Sequence, residues 1–427
     1  MNFKAILRSR VAAWLTSEAR LNGKRRRAEF ARRLVRRPHE ILYFHRADDP
    51  YCQLMVQVLP EIAYRFDVQI TPLVVEKLPA NMYPDPARFE GYSIIDAARL
   101  AKLYGLGFPA SASVPDRLSV GMANRYLASI QDDPKFFSIA QEVGAALWRE
   151  DLLTVRKLCV VADIDEQMLA NNETRLRELG QYSSASLYYE GEFYVGVDRI
   201  DHLERRLNRL GLGDGECHFD LTRIWRHRLE TLDKSVAGRT VEFFFSVRSP
   251  YSHLSLQQVG EFAELSGVKL KLKPVMPMLM RGMKVPPIKG RYILADAARE
   301  ARLEDIPFGK IVDPLGLAVK RAMAIGFSLP DDESMLRFFS AFTRGVWAEG
   351  IDGATDEGLL KIIANAGLPA DTLGQALPEE EWFEKAEKNM NEMLVYGSWG
   401  VPTFRVANET LWGQDRLWAI AEILKNE

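Results

Sequence analysis

Ser249 stands where a strand-like run ends and a helical pattern begins. Val241 to Ser246 is β-branched and aromatic, and Ser249-Pro250-Tyr251-Ser252 leads into an apolar helical period. Proline is favoured at the first helical position because its missing N–H would be unpaired there anyway, and a serine just before it suits the N-cap. Taken alone, this makes Ser249 a helix cap worth about 1 kcal/mol. A second reading concerns charge. A helix N-terminus gathers anions through unpaired N–H groups and its dipole, and it depresses the pKa of a thiol placed there. A serine hydroxyl at such a point can donate a hydrogen bond to the ionised sulfur of a ligand without becoming a redox partner.

Pro402, in Gly400-Val401-Pro402-Thr403-Phe404, leads another strand-like run. Proline is tolerated at the first or an edge position of a strand, so a turn accounts for it locally. The chemical reading has Val401 offering its main-chain N–H and C=O to a peptide-like ligand, as an added strand does. Asp415 follows Trp412-Gly413-Gln414. It either caps the last helix or receives the α-amino group of an amino-acid headgroup, with Gln414 and helix N-terminal amides holding the α-carboxylate. Lys289, in Pro286-Pro287-Ile288-Lys289-Gly290-Arg291-Tyr292, reads on its own as a solvated loop lysine. Tyr292 and Trp347 read as core before pocket, and Tyr251 is a weaker pocket candidate beside Ser249. None of the six histidines falls in a nucleophile or metal arrangement, His253 reads as a packing residue, and no metal is expected.

The elements that must position these residues come from a chain of ordinary composition. Its 427 residues are 47% hydrophobic and 27% charged, enough for two or three domains without disulfide staples. Cys52, Cys159 and Cys217 form neither a CxxC pair nor a zinc spacing, which fits a reducing compartment. No apolar run approaches the roughly 18 residues that span a bilayer, and no secretory signal pattern is present, so a cytoplasmic location is expected. The net charge of −2 hides an asymmetry, because residues 1–37 hold twelve Lys or Arg against Glu18 and Glu29. Phe3, Ile6, Val11, Trp14 and Leu15 make an apolar stripe there, beside the cluster Lys24-Arg25-Arg26-Arg27. Such an arm is a solvated helix face, a peripheral contact with an anionic membrane or an import signal. Nucleic acid is not expected, since no aromatic-rich pattern accompanies the charge.

The chain also repeats itself. A shift of 200 lays Tyr92, Asp96, Ala97, Ala98 and Arg99 over Tyr292, Asp296, Ala297, Ala298 and Arg299, and Asp49-Pro50-Tyr51-Cys52 over Ser249-Pro250-Tyr251-Ser252. A shift of 199 brings Leu147-Trp148 over Val346-Trp347. Nearer the ends a shift of 217 brings Gly196-Val197-Asp198-Arg199 over Gly413-Gln414-Asp415-Arg416. A tandem duplication with insertions and deletions accounts for all of these in one order. Each half reads as strand, helix, strand, a long helical stretch, two short strands and a helix. That order implies an α/β fold with a helical insertion.

These motifs resemble the DsbA-like branch of the thioredoxin superfamily, and within it the 2-hydroxychromene-2-carboxylate isomerases and kappa-class glutathione transferases. The likeness covers nearly all of residues 241–425 and rests on Ser249-Pro250-Tyr251-Ser252, Lys289-Gly290-Arg291-Tyr292, Val346-Trp347-Ala348-Glu349-Gly350-Ile351, Gly400-Val401-Pro402-Thr403-Phe404 and Trp412-Gly413-Gln414-Asp415-Arg416-Leu417. It implies two tandem thioredoxin-like folds, each with an inserted α-helical domain. The divisions expected are a basic helical arm at 1–37, a degenerate DsbA-like domain at 38–211, a linker at 212–238 and a site-bearing domain at 239–427.

By that resemblance Ser249 activates the sulfur of glutathione, Val401 holds the tripeptide backbone beside a cis Pro402, Lys289 faces a carboxylate, and Gln414 with Asp415 binds the γ-glutamyl end. The family commonly has an asparagine ahead of its Pro-Pro and Lys-Gly elements. This chain reads Met280-Arg281-Gly282-Met283-Lys284-Val285 there, so one polar glutathione contact is missing or moved. In the N-terminal half Asp49 replaces the serine, where a carboxylate repels a thiolate and raises its pKa, and Ala185 falls at the proline position. The resemblance implies a glutathione-dependent isomerase or transferase acting on a small conjugated or aromatic electrophile. The alternative is a disulfide-handling or non-catalytic peptide-binding protein, in which Cys52 forms mixed disulfides. Kappa-type enzymes are generally dimers, so the chain is expected to be a monomer with an inbuilt pseudo-dimer or a homodimer.

Overall fold

A computed structural model describes residues 3–160, 166–231 and 236–426. The chain divides into two compact units, one of Asn22–Leu221 and one of Thr222–Glu427 joined by Met1–Leu21. The basic N-terminal stretch forms two helices, α1 (Phe3–Thr16) and α2 (Glu18–Leu34). Phe3 and Ile6 of its expected apolar stripe lie outside the residues whose side chains are described. α1 belongs with the C-terminal unit, where Arg302 donates to the Thr16 carbonyl at 2.9 Å. Along α2, Arg25 pairs with Glu192 of the N-terminal unit at 2.7 Å.

The N-terminal unit runs β1 (Glu40–His45), α3 (Pro50–Arg65), β2 (Gln69–Val74), α4 (Pro86–Tyr104), α5 (Arg117–Ser129), α6 (Phe136–Trp148), α7 (Leu152–Leu158), α8 (Glu166–Leu179), β3 (Ser186–Tyr189), β4 (Glu192–Val195) and α9 (Ile200–Arg209). Its four strands lie in the order β2-β1-β3-β4, with β1 parallel to β2 and antiparallel to β3. The parallel pair needs a crossover, which α3 supplies; the antiparallel β3–β4 pair needs only a short turn at Glu190-Gly191.

The segment read from sequence as a linker carries α10 (Leu221–Glu230). Leu221, Trp225 and Leu229 recur every four residues and are buried, so this helix has an apolar stripe of its own. It docks on the C-terminal unit: Trp225 packs on Phe262 with ring centroids 5.7 Å apart, and Thr222 donates to Glu304 at 2.8 Å.

The C-terminal unit continues with β5 (Thr240–Phe245), α11 (Pro250–Ser266), β6 (Lys269–Pro274), α12 (Pro287–Leu303), α13 (Leu317–Gly326), α14 (Asp332–Trp347), α15 (Asp356–Asn365), α16 (Glu379–Val395), β7 (Thr403–Val406), β8 (Glu409–Trp412) and α17 (Leu417–Asn426). The strand order β6-β5-β7-β8 and the strand directions reproduce the first sheet. The fold is therefore α/β with a helical insertion between the second and third strands of each sheet, as the sequence pattern predicts. β5 is covered on both faces, which is why Phe243, Phe244 and Phe245 follow one another without alternation. Phe243 stacks on Phe404 at 4.7 Å, and Phe245 meets Phe339 of α14 at 5.0 Å. Burying each such ring contributes roughly 1.5–3 kcal/mol.

Candidate functional site

β5 ends at Phe245 and the chain turns into α11, leaving Ser249 as its N-cap in extended backbone (φ −91°, ψ 121°) with Pro250 at the first helical position. The Ser249 hydroxyl accepts from the Ser252 N–H at 3.2 Å. Its own proton points to the Val401 carbonyl at 3.4 Å, longer than an ordinary O–H···O bond. The Val401–Pro402 bond is cis. Beyond it, Gly413 donates to the Pro402 carbonyl at 3.0 Å, so the turn after β8 lies directly against this loop. That turn is a 3₁₀ segment, Gln414–Arg416, which packs on α11. Ser249, Val401, Pro402, Gln414 and Asp415 are thereby gathered at one end of the C-terminal sheet.

Two side chains fix the Ser249 loop from below. Trp347, at the end of α14, is buried and donates from Nε1 to the Val247 carbonyl at 3.0 Å; its ring stacks on Phe308 at 5.8 Å. It is thus an anchor of the loop carrying Ser249. His253 stacks on the other side of the network, on Phe308 at 6.1 Å, and its Nε2 lies 3.0 Å from the Pro307 carbonyl. That contact makes Nε2 the protonated nitrogen, and burial pushes the imidazole pKa down to about 4, so His253 is a neutral packing group. Ser252 is fully buried, its hydroxyl accepting from the Ser246 N–H at 3.3 Å.

Gly400 lies against Trp412, where a Cβ would come within 2.8 Å of Nε1, and Trp412 in turn packs on Trp399 at 5.0 Å. Thr403 donates to the Gly400 carbonyl at 2.7 Å and lies 2.7 Å from the Ser398 hydroxyl. These contacts hold the loop around Val401 in one shape. Among the described residues the Val401 N–H has no protein acceptor, so one main-chain donor is open beside Ser249.

Asp415 sits inside the 3₁₀ turn (φ −91°, ψ 19°), where the sequence reading had it capping the last helix; α17 begins only at Leu417. Its carboxylate meets Arg416 at 3.0 Å and fills the space beside Gly413, where a Cβ would approach Oδ1 within 2.5 Å at φ 124°. Gln414 is buried, with Nε2 3.5 Å from Glu300 of α12. α12 also carries Lys289 and Tyr292. Lys289 is not in a loop, as its proline-rich surroundings led us to expect, but in the first turn of α12, because Pro287 opens the helix instead of preceding it. Burial pushes its pKa down to about 8. Tyr292 is half-buried. Tyr251 ties the two helices together, donating to Asp296 at 2.9 Å, while Arg299 closes the far side of the same carboxylate.

Arg281 went unnoticed in the sequence beyond its place in the altered loop. Its guanidinium touches the Met390 sulfur at 2.8 Å, and its Nε is buried without a partner. Met390 packs on the apolar cluster of Phe244, Val275 and Met393 that also receives Val401. The signal available was a lone arginine in Met278 to Met283, an otherwise apolar run.

The N-terminal unit repeats the frame with different residues at the corresponding positions. Tyr51 donates to Asp96 at 2.9 Å, as Tyr251 does to Asp296, and Gly196 crowds Asp198 as Gly413 crowds Asp415. Asp49 caps α3 with a half-buried carboxylate whose pKa desolvation raises, and it accepts from the Ser184 hydroxyl at 2.6 Å. Cys52 is fully buried; its sulfur accepts from the N–H groups of Arg46 at 3.3 Å and Ala185 at 3.2 Å, and burial lifts the thiol pKa well above the ordinary range. A buried thiol with a raised pKa is a poor nucleophile, which weighs against disulfide exchange through Cys52.

The DSBA-like thioredoxin domain family matches residues 240–425. Over the same half the chain is 28% identical to glutathione S-transferase kappa 1 of Rattus norvegicus along 207 residues, covering 44% of this chain and 92% of that protein. It is 26% identical to 2-hydroxychromene-2-carboxylate isomerase of Pseudomonas putida along 193 residues, covering 42% of this chain and 91% of that protein. A solved structure of a 2-hydroxychromene-2-carboxylate isomerase aligns with a TM-score of 0.39 and 21% identity, covering 44% of this chain and 95% of that one. Residues 240–425, which hold Ser249 and the Val401–Pro402 loop, match the DSBA-like thioredoxin domain.

Proposed function

We propose that the protein is a glutathione-dependent isomerase or transferase whose single site lies at Ser249. The observation that carries this reading is the contact of the Ser249 hydroxyl with the Val401 carbonyl at the N-terminus of α11. When bound, glutathione would supply a thiolate nucleophile that adds to a conjugated or aromatic electrophile and, in the isomerase version, departs again after bond rotation.

The residues present fit such a tripeptide. Val401 has an open main-chain N–H for its backbone, Asp415 and Gln414 offer a carboxylate and an amide to an amino-acid headgroup, and Lys289 brings a cation to a carboxylate. The Ser249 proton, held only loosely by the Val401 carbonyl, turns to the sulfur and stabilises its ionised form together with the helix dipole. Because Ser249 and Ser252 replace both thiols of a redox pair, the domain has no local disulfide to exchange. The relatives, an isomerase and a glutathione transferase, support the same class. We read the N-terminal unit as a duplicated copy of the fold that no longer binds the thiol.

Titration calorimetry with glutathione, followed by turnover of aromatic enones, tests the proposal. Saturable binding with turnover that Ser249→Ala abolishes and Cys52→Ser spares supports it. Turnover lost in Cys52→Ser and kept in Ser249→Ala would overturn it in favour of thiol exchange.

A further inference from the structure

The basic N-terminal segment has one side fastened to the protein and one side bare. Phe30, Leu34 and Val35 are 70%, 73% and 61% exposed. A single exposed apolar residue is ordinary, but three within six positions beside a polybasic run are not. Phe30 and Leu34 are one helical turn apart on α2, and Arg26, Arg27 and Arg33 fall on neighbouring positions of the same exposed side. Lys24, Arg36 and Arg37 are exposed as well. The opposite side does the fastening, with Arg25 on Glu192 of β4 at 2.7 Å.

Acids do little to offset this charge. Glu29 is occupied by Arg32 and Arg33, and Glu190 lies 3.4 Å from Arg37. Among the described residues, Lys24, Arg26, Arg27 and Arg36 have no ion-pair partner.

We propose that this face docks on an anionic lipid surface, with Phe30, Leu34 and Val35 entering the headgroup region and Lys24, Arg26, Arg27 and Arg36 meeting the lipid charges. The occupant follows from complementarity. An acidic polymer in water would satisfy the cations and leave the three apolar side chains solvated, whereas a bilayer takes up both. No helix among the described residues is long and apolar enough to cross a membrane, so the contact is peripheral. Its consequence is to concentrate the enzyme where apolar electrophiles partition.

Flotation of the full-length protein with vesicles tests this, using phosphatidylcholine alone and phosphatidylcholine mixed with phosphatidylserine. The protein is expected to float with the mixed vesicles only, and less as salt rises. Each cation near such a surface changes partitioning roughly fivefold, so Arg26→Glu/Arg27→Glu should reduce binding by more than tenfold. Phe30→Ser/Leu34→Ser should also reduce it about tenfold or more. All four positions are exposed, and an unchanged circular dichroism spectrum confirms that each variant is folded. No flotation at low salt, equal flotation with both vesicle kinds, or binding that survives both pairs of substitutions overturns the proposal. So does charge-dependent retention on a polynucleotide without vesicle binding.

Discussion

The Ser184 hydroxyl donates a 2.6 Å hydrogen bond to the Asp49 carboxylate. Through it, the N-terminal unit closes with its own residues the position that Ser249 and Val401 leave loosely joined in the C-terminal unit. A carboxylate there would meet a thiolate with like charge at short range. Calorimetric titration with glutathione is therefore expected to give a stoichiometry near one per chain. A value near two would show that the Asp49 position still accepts the ligand.

Substitution can separate the cap that Ser249 forms from the catalytic role proposed for it. Ser249→Ala removes both the cap and the hydroxyl proton, and is expected to cost about 1 kcal/mol of stability. It should also lower kcat/KM on the order of 10²-fold. Ser249→Asp keeps a good cap, so thermal stability should return toward the parent value, but it recreates the Asp49 arrangement and should remain inactive. A Ser249→Asp variant that turns over substrate as the parent does would reduce Ser249 to a capping residue. Absorbance of the bound thiolate against pH reads the effect directly, with the thiol pKa rising in both variants.

Gly413 gives a separate handle on the headgroup end. Its φ of 124° is one that a side chain rarely adopts, and a Cβ would fall within 2.5 Å of Asp415 Oδ1. Gly413→Ala should displace the carboxylate proposed to receive the α-amino group, weakening glutathione binding by tenfold or more, while Asp415→Asn keeps the shape and loses the charge. Equal weakening in both variants would place the effect on the carboxylate. Unchanged affinity in Asp415→Asn would remove Asp415 from the binding set.

Much of this frame was legible because local signals and tertiary packing agree along it. The run that Pro402 leads is the strand Thr403–Val406, two short strands do precede the last helix of each half, and Ser249-Pro250 marks the start of α11. The repeat exposed Asp96 and Asp296 before any contact was known, and the structure shows each bonded to a tyrosine of the preceding helix. Lys289 was misplaced because a proline pair reads equally well as loop or helix start, and only packing decides which. The role of Arg281 was hard to read for a related reason, although the lone arginine in an apolar run marked its position. An arginine's burial is set by what lies across from it, here Met390, more than a hundred residues away.

On the proposed reading, Lys289 gives ligand binding a pH dependence. With its pKa pushed down to about 8 by burial, it is charged at neutral pH and loses its proton as pH rises through about 8. Affinity for a carboxylate-bearing ligand should fall over that range, and Lys289→Met should flatten the profile while lowering affinity near neutrality. Stability carries the opposite sign. A lysine in the unfolded chain titrates near about 10.4, so between about 8 and 10.4 the unfolded state binds more protons and stability rises with pH. At neutral pH the partly desolvated charge is a net cost, so Lys289→Met should unfold at a higher temperature than the parent and lose the alkaline gain. A variant that binds more weakly yet melts higher identifies a cation kept for its ligand. If Lys289→Met loses stability and affinity together, Lys289 is instead a structural part of the first turn of α12.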